Sequence, residues 1–289
     1  MKKKKAPLMS VDMAAVAADH AALESPHVIS LGAGVQSSTL ALLAAKGMLT
    51  PMPVAAVFAD TQAEPPAVMI WLAKLETMLP FPVIRVTRGP LEYSALDVRI
   101  SGRTGLPFIK TMVPAHVYFP ETKKPVLALR HCTETFKIDK IQRELIRIRL
   151  AAKSKKLVQW IGISTDEADR MKPSIRKRVV NTWPLIELGW SRKTCEEWLA
   201  AEGLGRPPKS ACYFCGFRSK AEWLDMRDTD PDSFQAACTF EEKLRVAYAA
   251  TPRLRGQPFL TQTGRPLAEL ADRDNQSHWA NECGGICGV

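Results

Sequence analysis

The chain has 289 residues, 46% hydrophobic and 24% charged, which suits an ordinary globular protein with a sizeable core and argues against disordered or fibrous classes. No apolar run reaches the roughly 18 residues of a membrane helix. The net charge of +10 favours polyanionic partners such as nucleotides or nucleic acid, although four of those charges are lysines 2–5, expected to form a solvated tail. In chain order, Val28 to Leu31 reads as a buried strand and Ser37 to Lys46 as a helix ended by Gly47. Val54 to Ala59 reads as a strand, Ala67 to Leu79 as a helix closed before Pro80, and Val83 to Val86 as a third strand. Alternation at this spacing predicts an α/β fold with a parallel twisted sheet and flanking helices.

Residues 87–129 are rich in Pro and Gly and read as a long excursion or lid. A basic helix is expected over Thr135 to Leu150, a fourth strand over Leu157 to Ile163, and helices over Ser191 to Ala201, Lys220 to Met226 and Ser233 to Ala249, with an irregular final stretch. The expected organisation is a basic lead-in over 1–24, a nucleotide-binding α/β domain over 25–205, and a helical, cysteine-bearing C-terminal region over 206–289. The lysine-rich start lacks the compact apolar segment of a secretory signal, so the expected location is the cytoplasm.

Between the first strand and first helix lies Ser30-Leu31-Gly32-Ala33-Gly34-Val35-Gln36-Ser37-Ser38-Thr39. Small residues let backbone N–H groups approach a phosphate, and the helix start adds positive potential. Ser37, Ser38 and Thr39 add hydroxyls. The loop has neither the Walker A nor the G-x-G-x-x-G spacing, and by itself it also reads as a tight strand-to-helix turn.

Seven cysteines are an odd number for a disulfide framework, and two form the C-x-x-C of Cys212 and Cys215. With Cys132 at a helix start, three thiolates could surround a metal or cluster; zinc, an iron–sulfur cluster, or a buried pair without metal all remain open. Cys195 and Cys238 fall in amphipathic patterns and are expected in the core.

Four ordered segments resemble the PP-loop superfamily, and within it the phosphoadenylyl-sulfate (PAPS) reductase family. The Gly32–Ser37 loop is similar to its modified phosphate loop, with Gln36 where the usual pattern has Asp. Asp60-Thr61-Gln62-Ala63-Glu64 resembles its Asp-Thr-Gly-x-Glu segment, and Gly162 to Arg170 its Gly-x-Arg-x-Asp-Glu-x-x-Arg segment, with Ser164 in place of the first Arg. Trp183-Pro184-Leu185-Ile186-Glu187 resembles its Pro-Leu-Ile-Asp-Trp segment. The resemblance implies an adenine nucleotide (PAPS, adenylyl sulfate or ATP) held by Ser30, Gly32, Gly34, Gln36, Ser37, Ser38, Asp60, Glu167 and Lys137, with Arg170 neutralising a phosphate or sulfate.

The cysteines resemble the iron–sulfur branch of that family, which includes adenylyl-sulfate reductases and DNA-phosphorothioation enzymes. Cys132 keeps the offset to Lys137 found there, with Thr133 in the place of a second cysteine. This implies a 4Fe–4S cluster on Cys132, Cys212 and Cys215, with His131, Cys195, Cys238 or a tail cysteine as a fourth ligand, or an open iron; zinc is the alternative. Glu282-Cys283-Gly284 resembles the tail that carries the nucleophilic cysteine of sulfonucleotide reductases, with Cys287 nearby. Three functions follow as expectations. The first is reduction of PAPS or adenylyl sulfate to sulfite through Cys283, with a thiol reductant such as thioredoxin. The second is ATP-dependent thiolation of tRNA or DNA, favoured by the basic residues near Arg143–Lys156 and Arg176–Arg178. The third is a nucleotide-binding regulator without catalysis. No membrane partner is expected, and the oligomeric state is left open.

Overall fold

The computed structural model describes residues 25–271, except 111, 120, 122–124 and 252–253. Strand β1 (His27–Leu31) is buried throughout and feeds helix α1 (Val35–Ala45). The helix closes at Gly47, whose φ of +70° suits the left-handed turn that ends it. Strand β2 (Ala55–Asp60), helix α2 (Pro66–Met78) and strand β3 (Val83–Thr87) follow as expected. Pro66 opens α2, where its missing N–H costs nothing, and the chain turns extended at Leu79 before Pro80.

The stretch expected to be irregular folds into helix α3 (Leu91–Leu96) and short strands β4 (Val98–Ile100), β5 (Pro107–Ile109), β6 (His116–Tyr118) and β7 (Val126–Leu127). A π-helical turn (Thr133–Ile138) leads into helix α4 (Asp139–Ala151) and strand β8 (Leu157–Ile161). A 3-10 segment (Thr165–Arg170) precedes β9 (Val179–Thr182), a strand the sequence reading missed. Four residues between a basic run and Trp183-Pro184 carry too little alternation to stand out. Then come α5 (Pro184–Glu187), α6 (Arg192–Ala201), α7 (Lys220–Thr229), α8 (Pro231–Ala249) and β10 (Gln257–Phe259).

The main sheet is parallel in the order β3-β2-β1-β8-β9. Its α1 side packs Leu40, Leu43, Trp71, Leu72, Trp160, Leu185 and Leu199. A second core joins the segment inserted between β3 and β8 to the region that follows the sheet. Leu91, Ile109, Met112, Val113, Val117 and Phe136 meet Phe214, Trp223, Phe240 and Leu244. Residues 87–129 are therefore half of a core shared with the C-terminal helices, not an open lid. The described part of the final stretch is also folded: β10 pairs antiparallel with β6, and buried Glu241 accepts the N–H groups of Leu260 and Leu267, each at 2.6 Å. Among the described residues, no helix is long and apolar enough to cross a membrane.

Candidate active site

A parallel sheet exposes its loops and helix starts at the carboxyl ends of its strands, and β1 and β8 are neighbours there. A cleft of about 580 Å³ opens at that edge, within the usual range for ligand sites. One wall is Gly32, Gly34, Val35, Gln36 and Ser37 of the loop, with Ile161, Gly162, Glu167 and Arg170. The facing wall comes from the C-terminal region, through Arg206, Lys209, Ser210, Ala211 and Arg218.

The loop is built for close backbone approach. Ala33 sits at φ +57°, a left-handed conformation that non-glycine residues rarely hold and that stores strain at functional sites. Gly32 N–H donates to Ser37 Oγ at 3.2 Å, which folds the loop over the start of α1. Gly162 lies so close behind it that a Cβ there would meet Ser37 N at 2.8 Å. The Gln36 amide is engaged on every side. It donates to Ser164 Oγ (3.3 Å) and Glu167 Oε2 (3.1 Å), and it accepts from Arg192 Nη1 (3.1 Å). Glu167 also pairs with Arg170 at 2.5 Å.

Of the residues expected to hold a nucleotide, Gly32, Gly34, Gln36, Ser37, Glu167 and Arg170 share this cleft. The others face elsewhere. Ser38 is buried and accepts the Trp71 indole N–H at 2.9 Å, and Thr39 donates to the carbonyl of Val35, so neither hydroxyl is presented to the cleft. Ser30 is buried within β1, outside the cleft lining. Asp60, at the end of β2, is also outside it, accepting Gln62 N–H at 2.7 Å. Gln62 holds φ +55° where the resembling pattern has glycine. The sequence reading missed Arg192, Arg206, Lys209, Ser210 and Arg218. Their signal was weak because cations flanking a cysteine motif look like ordinary surface charge.

Cys132, Cys212 and Cys215 line one small, mostly apolar cavity with Arg130, Lys137, Thr61, Phe214 and Phe217. The π-helical turn after Cys132 brings Lys137 inward against buried Glu64, at 3.6 Å. Lys137, expected to contact the nucleotide, instead lines the cysteine cavity. Burial works against its charge, but Glu64 and the three sulfurs hold its ammonium above the usual range. Burial, with Glu64 beside it, pushes the Cys212 thiol up, and burial does the same to Cys215. Thr61 Oγ1 lies 3.4 Å from Cys212 Sγ and donates to Glu64 at 3.1 Å, while Glu64 Oε2 has no hydrogen-bond partner among the described residues.

Soft sulfur donors with cations around them suit zinc or an iron–sulfur cluster. Among the described residues, no three His, Cys, Asp or Glu side chains converge as ligands of a single ion. Cys195 and Cys238 lie outside the cavity lining: Cys195 is in the sheet core and Cys238 in the second core, against which Cys132 and Cys212 also pack, and burial pushes each thiol up to about 11. His131 lies outside the cavity lining, 3.9 Å from Glu134. Cys283 and Cys287 lie outside the described residues.

The two sites adjoin. Ala211 lines both, Ser210 contacts the Gly32–Ser37 loop and Cys212 faces the cavity. The arrangement can hold an acidic ligand at one site while presenting sulfur from the other.

No family model matches the chain. No curated protein matches it. Among solved structures it is similar to the phosphate complex of phosphoadenylyl-sulfate (PAPS) reductase from Candida auris, with 10% identity, 66% of this chain and 79% of that chain covered, and a TM-score of 0.40. It is also similar to the U34-tRNA thiolase NcsA from Methanococcus maripaludis with its 4Fe–4S cluster, with 14% identity, 77% and 72% covered, and a TM-score of 0.36.

Proposed function

We propose that this chain is an enzyme of sulfur metabolism that binds an adenine nucleotide by its phosphates at the Gly32–Ser37 loop, and that it reduces a sulfonucleotide, PAPS or adenylyl sulfate, to sulfite. The observation that carries this reading is Gln36. Its neutral amide is held by Ser164, Glu167 and Arg192 at the position where the resembling loops carry an Asp. An amide so engaged offers no carboxylate to a magnesium ion, so the loop suits holding a nucleotide better than splitting ATP.

In this reading Arg170 and the loop N–H groups hold the phosphate, and Cys283 supplies the nucleophile. Its thiolate attacks the sulfonate sulfur. An S–S bond forms as the sulfur–oxygen bond to the nucleotide breaks, and the nucleotide phosphate leaves with the electron pair. An external thiol, such as that of thioredoxin, then attacks the Cys283 sulfur. Sulfite is released, and the resulting disulfide carries the oxidising equivalents. Cys132, Cys212 and Cys215 would hold an iron–sulfur cluster, which would supply redox capacity beside the substrate.

A second reading, ATP-dependent thiolation of tRNA or DNA, is favoured by a different observation: three cysteines stand beside the cleft itself, where they could carry the sulfur to be transferred. Calorimetric titration with PAPS, adenylyl sulfate and ATP separates the two. Sulfonucleotide binding at least about tenfold tighter than ATP supports the first reading; tighter ATP binding in the presence of magnesium overturns it in favour of the second.

A further inference from the structure

Five cations line the cleft, and four have a carboxylate partner. Arg170 pairs with Glu167, Arg192 and Arg206 with Glu196, and Lys209 with Glu222. Arg218 differs. It is only 9% exposed and makes no ion pair among the described residues. Its Nη2 donates to the carbonyls of Ala211 (3.0 Å) and Cys212 (3.3 Å), and its guanidinium lies 5.7 Å from the centre of the Trp223 ring. Its buried Nε finds no acceptor among the described residues. Glu222 feels the charge of Arg218 but its oxygens are taken by Lys209 and the Ser219 N–H, so Arg218 has no direct ion-pair partner among the described residues. A buried guanidinium so placed is costly, and an unmet donor adds to that cost. Glu167, Glu222, Asp225 and Asp230 also line the cleft, but none forms an ion pair with Arg218 among the described residues, so its Nε is open to an added acidic group.

Residues 209–218 also give Arg218 its place. Along this wall Ser210 touches the phosphate loop, Ala211 lines both sites and Cys212 faces the cysteine cavity. Arg218 grips the two carbonyls at the boundary. We propose that Arg218 is a second anion-binding residue of the cleft, which takes the terminal sulfo group of the nucleotide and ties its position to the C-x-x-C loop. This rests on the nucleotide reading above. The phosphate loop would hold the inner phosphate, and Arg218 would hold the acidic group beyond it, beside the cysteines.

Adenylyl sulfate and AMP differ by that group, so the test compares them by calorimetry on the full chain as wild type, Arg218→Met and Arg218→Lys, with a thermal melt of each. Arg218→Met should weaken adenylyl sulfate by about 10- to 100-fold and AMP by less than about threefold, and Arg218→Lys should fall between. Equal losses for both ligands, or none, in a variant that still melts cooperatively would overturn the proposal. If Arg218→Met does not fold, the same ratio is read from Arg218→Lys. Inorganic sulfate is the independent probe: it should raise the melting temperature of wild type more than that of either variant. If sulfate does so while no nucleotide binds, the nucleotide reading fails and the anion site stands. If sulfate and nucleotide both leave wild type and variants alike, the anion site fails.

Discussion

Ser210 Oγ donates to the carbonyl of Gly32, and this contact fastens the segment bearing the C-x-x-C onto the Gly32–Ser37 loop. The two residues are 178 positions apart in sequence. Gly34 adds to the closeness, since a Cβ on it would stand 3.5 Å from the Ser210 Cβ. Whatever sits on the loop is therefore within a few residues of the C-x-x-C segment.

Gly162 supports the loop from behind. Replacing it with alanine would bring a methyl within 3.0 Å of the Ser37 backbone, which cannot move without opening the loop. Gly162→Ala should cost about 1–3 kcal/mol of stability and weaken nucleotide binding, as read by urea melts and calorimetry. Wild-type values for both would show that the loop tolerates the shift.

Gln62 pays a conformational cost. It is exposed at φ +55°, and among the described residues its side chain is held by a 3.3 Å bond to Thr87. Gln62→Gly should stabilise the fold by about 0.5–1 kcal/mol, the relief of the left-handed strain less the added freedom of the unfolded chain. A lower urea midpoint for the variant would mean that the Thr87 bond outweighs the strain.

His116 makes the cysteine loop sensitive to acid. It is buried and bonds the Gly216 carbonyl at 3.0 Å, next to Cys215. Burial holds its pKa below 6.5, with the Gly216 bond opposing. The unfolded chain takes up the proton first, so the stability His116 contributes is present above about pH 6.5 and is lost as pH falls below that value. The slope is at most about 1.4 kcal/mol per pH unit. His116→Gln should flatten the difference between melts at pH 7 and pH 5.5, and an unchanged slope would assign the acid sensitivity to other groups.

The three cavity cysteines should act as a set. Purified without oxygen, wild type should be brown and contain iron and acid-labile sulfide, and Cys212→Ser should lose most of both. Stoichiometric zinc without sulfide would make the site a zinc centre instead.

The parallel sheet was legible because β1, α1, β2, α2 and β3 carry unmixed periods and sit between clear turn residues such as Gly47 and Pro80. The loop was legible too, through its small residues. The orientation of its hydroxyls was not. Whether Ser37 or Ser38 faces the cleft depends on where Trp71 packs, a contact 33 residues away. The far wall was hidden for a similar reason. Arg218 gains its meaning from burial against Trp223, a member of the second core that also takes in Leu91 and Ile109, and no local pattern announces that pairing. Lys137 was read as a nucleotide contact because a linear offset cannot show that a π-helical turn directs it toward the sulfurs.

The central claim is that a sulfonucleotide on the Gly32–Ser37 loop is reduced, and product analysis tests it most directly. Anaerobic protein with a dithiol reductant should release sulfite from PAPS or adenylyl sulfate, one equivalent per nucleotide consumed, and Cys283→Ser should release none. Release of pyrophosphate from ATP, with no sulfite from either sulfonucleotide, would contradict the account.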